Sequence, residues 1–350
     1  MHMSDALLSP AVGGAMYAAT AAATGYCASR VRANLDQGKV PLMGVLGAFV
    51  FAAQMLNFTI PGTGSSGHIG GGLMLAILLG PEAAFLVIAS VLSVQALFFA
   101  DGGLLALGSN IFNLGFFPAL VAYPLVYRPI AGSSLAPGRI VAGSIAGAIA
   151  GLGLGAFGVV LETTISGVSD LPFGSFAAVM VPIHLGIGLV EGLATAAVVT
   201  FVARAQPEIV ERAATGRPRT GRATSRVLAV LAICAALAGG VVAWYASARP
   251  DGLEWAIARV TGSAEIEDDG AVARGAAALQ ERTAILPDYG FEGQARREGD
   301  EPAAGPAWGE PSAGTSVAGL VGAGITLLVA VGLGLLLRRR PGAGGGPAPR

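Results

Sequence analysis

Three nitrogen groups that could hold one metal ion sit at the start of the chain. With a histidine at position 2, the terminal amine of Met1, the His2 main-chain nitrogen and a His2 ring nitrogen close fused five- and six-membered chelate rings in one plane. His68, in the loop "NFTIPGTGSSGHIGGG", could fill the fourth corner. Four nitrogens in a plane select Cu(II) or Ni(II) over tetrahedral Zn(II), with cobalt also accommodated. The amine and imidazoles must be neutral and the amide must lose its proton, so affinity should fall in acid. Taken singly, each histidine also reads as an ordinary surface side chain, and that alternative stands beside the metal reading.

Other polar groups carry weaker signals. His184 and Glu191 are seven residues apart, so they share a helix face two turns apart. Ionisable groups in an apolar span are costly and usually face the bundle interior. The pair reads as a hydrogen-bonded structural couple, or as a metal pathway or proton relay. Asp101 and Asp170, at span ends, could attract cations or act as caps. Gly62, Gly64 and Gly67 have literal G-x-G-x-x-G spacing, but they follow an apolar span rather than a strand, and no phosphate-binding lysine follows. ATP energy would therefore have to come from partners. The acidic run Glu265 to Asp269 lacks calcium-loop spacing and reads as solvated surface. Cys27 and Cys234 lie far apart in apolar runs and suggest no disulfide framework or thiolate cluster. Nothing resembles an enzyme's nucleophile and base, and nothing suggests nucleic-acid binding.

The elements that must position these groups are membrane helices. The 350 residues are 53% hydrophobic and 12% charged, against roughly 25% charge in a soluble domain. Apolar stretches long enough to cross the bilayer fall near 6–28, 41–58, 82–100, 104–127, 138–161, 175–203, 227–246 and 314–337, with a short ninth at 69–80. Its glycines suggest a helix that starts inside protein or at a wet cavity. No basic residue precedes the first stretch, so no signal peptide is expected and Met1 should persist. Arginine and lysine clusters after the first, fifth, seventh and ninth spans all fall on one side, which makes that side the cytoplasm. The expected protein is thus an all-α integral membrane protein of nine transmembrane helices, N-terminus outside and C-terminus inside. It sits in a cytoplasmic membrane.

The chain divides into a seven-helix body (1–204), a basic cytoplasmic linker (205–226) and a two-helix hairpin (227–340) enclosing an outer loop (247–313). The tail 341–350 reads as disordered. Between Ser247 and Ala313 lie 13 of the 22 acidic residues but only 6 of the 21 basic ones. Gly143, Gly147, Gly151 and Gly155 recur every four residues along one helix face. Such a stripe lets another helix approach closely, either within the body or from a separate membrane subunit.

Several segments together resemble a known family. "MHMSDALLSP", the His68 loop, "LLGPEAAF", "VQALFFADGGLLALGSNIFNLG" and "HLGIGLVEGLATA" are similar to the substrate-binding membrane (S) component of energy-coupling-factor nickel/cobalt transporters, the CbiM/NikM family. This resemblance covers residues 1–204. "RPDGLEWA" and "LPDYGF" resemble the PDGLE domain, the NikN-like accessory of these transporters, here fused to the body. The resemblance implies metal ligation by the amine of Met1, the amide and ring of His2, and His68, with Asn57, Ser66 and Gln95 as supporting groups. It also implies a transmembrane scaffold subunit, two cytoplasmic ATPase subunits, and Ni(II) or Co(II) as transported substrate rather than a permanent cofactor. The chain has "SDALLSP" where many members have Pro-Asp-Gly-Phe after the third residue, which leaves the ligands untouched. A reading from a different class is an ion-gradient-driven secondary metal transporter using His184 and Glu191 as a relay.

Overall fold

The computed structural model describes residues 2–35, 38–132, 135–215, 225–263, 266, 270–291 and 311–338. Met1, the tail 341–350, most of the acidic run 265–269 and five basic residues used to orient the chain (217, 219, 222, 339 and 340) lie outside the described residues.

The described chain is almost entirely helical. Helix α1 (Pro10–Asn34) starts cleanly because Ser9 accepts a hydrogen bond from the Val12 N–H and Pro10 occupies the first turn, where its missing N–H costs nothing. Then follow α2 (Lys39–Gln54), α3 (Gly72–Leu79) and α4 (Pro81–Phe99). Helix α5 (Leu107–Ala131) opens and closes with normal turns, but Phe112–Tyr127 between them is wound in wide π-type turns. Pro118 and Pro124 lie inside that stretch, and each removes a donor from the α-helical ladder. Helices α6 (Pro137–Ser166) and α7 (Phe173–Ala205) complete the body, and the short α8 (Pro207–Thr215) follows, burying Ile209 and Val210.

Five of these and later helices are long and apolar enough to cross a membrane: α4, α5, α6, α7 and α12 (Ala313–Leu337). Two shorter apolar helices, α2 and α9 (Ser225–Gly240), have 16 residues each. Leu154, Phe157 and Leu161 on α6, Leu185, Leu189 and Leu193 on α7, and Leu328 and Leu336 on α12 are exposed. An apolar surface of that extent belongs in lipid, and the chain is a multi-pass membrane protein.

The short stretch at 69–80 behaves as its glycines suggested. At eight residues, α3 is ~12 Å long, too short for a ~30 Å core. All eight residues are buried, and α3 is bounded by Gly71 and Gly80 at φ +78° and +82°, backbone only glycine adopts easily.

The glycine stripe on α6 faces inward. A Cβ at Gly143 would meet Tyr127 and Ala131, one at Gly147 would meet Leu73, and one at Gly151 would meet Pro118, while Gly155 is buried. Of the two readings of the stripe, packing within the body fits these contacts, since α5 and α3 lie against it at Gly143, Gly147 and Gly151. A tight crossing lies elsewhere, where a Cβ on Gly192 of α7 would come within 2.5 Å of the Ile145 Cα on α6.

The C-terminal hairpin packs on the body. Helix α12 lies along α2, with Gly44 against Leu327 and Val331, and Gly322 against Phe51. It crosses α9 where Gly319 meets the Gly239 backbone. Between them lie α10 (Gly252–Thr261) and α11 (Ala271–Thr283).

Candidate metal site

The N-terminal segment is tied down by residues 100 or more positions away. The Met3 N–H donates to Asn110 Oδ1 at 2.7 Å, while Asn110 Nδ2 donates to the Met3 carbonyl at 3.1 Å. The Gly103 N–H donates to the same carbonyl at 2.9 Å, and Asp5 Oδ1 accepts from the Ala106 N–H at 3.0 Å. Met3, Leu7 and Leu8 are buried beneath. This anchoring fixes His2, whose ring is nearly parallel to that of His68 at 11°, with centres 5.0 Å apart. Two imidazoles that are neighbouring ligands of one ion, each bonded at about 2 Å, have ring centres roughly 4–5 Å apart.

Burial shapes the chemistry of both rings. His68 is pushed down to about 3 by burial. His2 is also lowered by burial, against the opposing charge of Asp101. Both imidazoles are therefore neutral at physiological pH, the form that can coordinate a cation. Among the described residues no cluster of three or more His, Cys, Asp or Glu side chains gathers for a metal.

Residues 57–71 form the other wall. β1 (Phe58–Thr59) and β2 (Ser66–Gly67) pair antiparallel as a two-residue ribbon that presents His68. His68 Nδ1 lies 3.1 Å from the Ile69 carbonyl; a carbonyl only accepts, so Nδ1 carries the proton and Nε2 is the lone-pair nitrogen. The next peptides are held on both sides. Gln54 Nε2 donates to the Gly70 carbonyl at 2.8 Å, and Glu191 Oε2 and Oε1 accept from the Gly70 and Gly71 N–H groups at 2.6 and 3.1 Å. Glu191 thereby caps the buried start of α3, where a carboxylate complements the unsatisfied N–H groups.

His184 and Glu191 share α7 but have separate partners. His184 Nδ1 donates to the Met180 carbonyl at 2.8 Å, and its Nε2 is buried without a hydrogen bond. His184 and His68 both line a cavity of about 10 Å³, walled also by Gly67, Gly70, Leu114, Leu152, Ile187 and Gly252. That is room for about one water.

The C-terminal domain closes over this loop. The Ser66 N–H donates to the Pro250 carbonyl at 2.8 Å and Ser66 Oγ donates to the Arg249 carbonyl at 2.7 Å. Trp255 Nε1 donates to the Thr63 carbonyl at 3.0 Å, and the Ser247 N–H donates to the Asn57 carbonyl at 2.8 Å. Asp251 caps α10 in a capping box with Glu254. Gly252 then lies flat on His184; a Cβ there would come within 2.9 Å of the ring. On the far side, Tyr289 donates to Asp101 Oδ2 at 2.5 Å, and Asp101 Oδ1 is 3.2 Å from His2 Nδ1. Asp288 and Tyr289 both hold positive φ, 50° and 58°, strain of the kind that concentrates at functional positions. Burial and the Asp101 charge hold the Tyr289 phenol well above its usual range, so it stays a donor.

Among the three supporting groups, Ser66 is turned toward the C-terminal segment, as its hydrogen bonds show. Gln95 is buried beside His2 and Tyr289, with neither amide atom in a well-aligned hydrogen bond. The Asn57 side-chain carbonyl is likewise buried without a partner. Asp170 is exposed. Asn110, Gln54, Gly252 and Tyr289 were not singled out from sequence. Asn110, Gly252 and Tyr289 do fall within the quoted motifs "VQALFFADGGLLALGSNIFNLG", "RPDGLEWA" and "LPDYGF".

Residues 2–209 match the CbiM family, described as the cobalt uptake substrate-specific transmembrane region, which spans more than half of the chain. The chain belongs to this family. Residues 225–339 match the PDGLE domain. A protein of Archaeoglobus fulgidus provisionally named as the fused nickel transport protein NikMN is 34% identical over 95% of this chain and 98% of its own length. The fused nickel transport protein NikMN of Rhodobacter capsulatus is 31% identical, covering 67% of this chain and 71% of its own. The cobalt transport protein CbiM of Sorangium cellulosum is 32% identical over 52% of this chain and 81% of its own. A crystal structure of a transition metal transporter superposes with TM-score 0.52 at 30% identity, over 61% of this chain and 97% of its own. With its CbiM region joined to a PDGLE domain, this chain is a nickel/cobalt transport protein of the CbiM/NikMN family.

Proposed function

We propose that this chain is the substrate-binding component of an energy-coupling-factor transporter that takes up Ni(II) or Co(II). The ion would be held by the terminal amine of Met1, the His2 amide and ring, and His68. The observation that carries this reading is the buried, near-parallel pair of His2 and His68 rings, 5.0 Å apart at 11°. The terminal amine and the His2 amide would finish a planar shell around an ion held by these two rings. Planar nitrogen favours Ni(II), and relatives named for nickel transport share the fused arrangement.

The body, linker and hairpin at 1–204, 205–226 and 227–340 would give nine crossings, with His2 outside and the basic clusters inside. A scaffold subunit and two cytoplasmic ATPase subunits would supply the energy. The gradient-driven alternative has less support, because His184 and Glu191 are each engaged by their own main-chain partners rather than by one another.

Adding a few residues ahead of Met1 should abolish nickel and cobalt binding by the purified protein, whereas a C-terminal tag should not. Normal affinity in the extended protein would overturn this ligand set.

A further inference from the structure

The strongest unassigned relationship at the site runs through one peptide bond. The Ile69 carbonyl and the Gly70 N–H are the two ends of a single peptide group. The carbonyl accepts from His68 Nδ1 at 3.1 Å, and the N–H donates to Glu191 Oε2 at 2.6 Å. Glu191 comes from α7, more than 100 residues on in the chain, and is itself 1% exposed.

We infer that Glu191 is a positioning residue for the metal ligand His68, acting through the Ile69–Gly70 peptide to fix the ring's tautomer and direction. This inference rests on the proposed ligand set. The physical basis is that a hydrogen bond donated by a peptide N–H polarises the carbonyl at the other end of the same group, making it a better acceptor. The Ile69 carbonyl therefore holds the proton on His68 Nδ1 more firmly, and Nε2 stays the lone-pair nitrogen. Metal-bound histidines commonly gain orientation and basicity when their second nitrogen donates to a carboxylate or carbonyl. Here the carboxylate is one peptide removed.

The surrounding contacts stop this peptide from turning away. Glu191 Oε1 takes the next N–H, at Gly71, and Gln54 holds the Gly70 carbonyl between them. A Cβ at Gly71 would run into Val50 at 2.7 Å, so the backbone can approach α2 only because no side chain is present. The same carboxylate that caps α3 through the Gly71 N–H thus also takes the N–H of the peptide whose carbonyl holds the His68 proton.

The test uses the full-length protein in detergent, titrated with NiCl2, reading both affinity and the visible absorption band of the nickel centre. Glu191→Gln keeps the shape of the side chain but cannot accept both N–H groups without presenting its own donor. It should lower nickel affinity by about 10–100-fold and shift the band, while His68→Ala abolishes binding. Glu191→Asp, which retains the carboxylate on a shorter arm, should recover part of the lost affinity. Unchanged affinity and an unchanged band in Glu191→Gln, with His68→Ala still inactive, would overturn the role of Glu191 and leave the ligand set intact. Nickel binding retained by His68→Ala would remove the ligand set, and this inference with it. A measurement independent of variants is nitrogen NMR of the metal-free wild-type protein carrying 15N-histidine. The inference expects His68 protonated at Nδ1, and a ring protonated at Nε2 would overturn it.

Discussion

The His2 ring is stacked almost parallel to the His68 ring at a centre-to-centre distance of 5.0 Å, although the two residues lie on opposite walls of the site. Neither wall holds its histidine alone. His2 depends on Asn110 through Met3, and His68 depends on Glu191 and Gln54 through the Gly70 peptides.

If the two rings act as one site, His2→Ala and His68→Ala should each weaken nickel binding by about 100-fold or more, ~2.7 kcal/mol. Calorimetric titration of each variant, alongside a thermal unfolding trace to confirm the fold, decides this. A variant that binds like wild type would remove its histidine from the site.

Tyr289→Phe leaves Asp101 without its phenol donor, so the carboxylate is no longer held toward His2. Losing a hydrogen bond to a charged group costs ~1.5–3 kcal/mol, read as a lower unfolding temperature of the metal-free protein in detergent. Equal unfolding temperatures in the two proteins would show that Asp101 is held well enough without the C-terminal domain.

Gly252→Leu drives a side chain into the His184 ring, which a Cβ alone already approaches to 2.9 Å. The segment 249–255 should lift from the loop and free the Ser66 N–H. Hydrogen exchange of peptides spanning 63–67 should then rise, while α6 and α7 remain protected. Unchanged exchange at Ser66 would mean that the domain stays docked by other contacts.

The metal-free protein should lose stability in acid through His68. Burial lowers its folded value to about 3 from 6.5, so between those values the unfolded chain binds a proton that the folded chain refuses. Stability from this group is therefore complete above about pH 6.5 and is lost progressively as pH falls toward 3. Unfolding temperatures of wild type and His68→Gln, compared from pH 7 to 4, should converge as the pH drops. Parallel curves would rule out a contribution from His68.

Gly192→Ala places a methyl group against the Ile145 backbone at 2.5 Å, where no side-chain rotation can relieve it. The α6–α7 crossing should open at a cost of ~1–3 kcal/mol, read as a lower unfolding temperature in detergent. Gly174→Ala, with open space around it, is the matched control and should change little.

The sequence by itself determined the chemical inventory and the helices. The apolar runs at 82–100, 138–161 and 314–337 became α4, α6 and α12 with ends shifted by a few residues, because hydrophobic length and terminal prolines act locally. The glycines around 69–80 marked a short buried helix for the same reason. The chelating possibilities of His2 are likewise written into adjacent atoms. Tertiary structure alone decided which groups meet. Asn110 with Met3, Glu191 with the Gly70 peptide, and Tyr289 with Asp101 are pairs separated by 107, 121 and 188 residues. Spacing along one helix linked Glu191 to His184, and the fold instead assigns its oxygens to another element. It likewise turned the α6 glycine stripe inward. A helical period tells which residues share a face; only packing against a distant segment decides what that face touches.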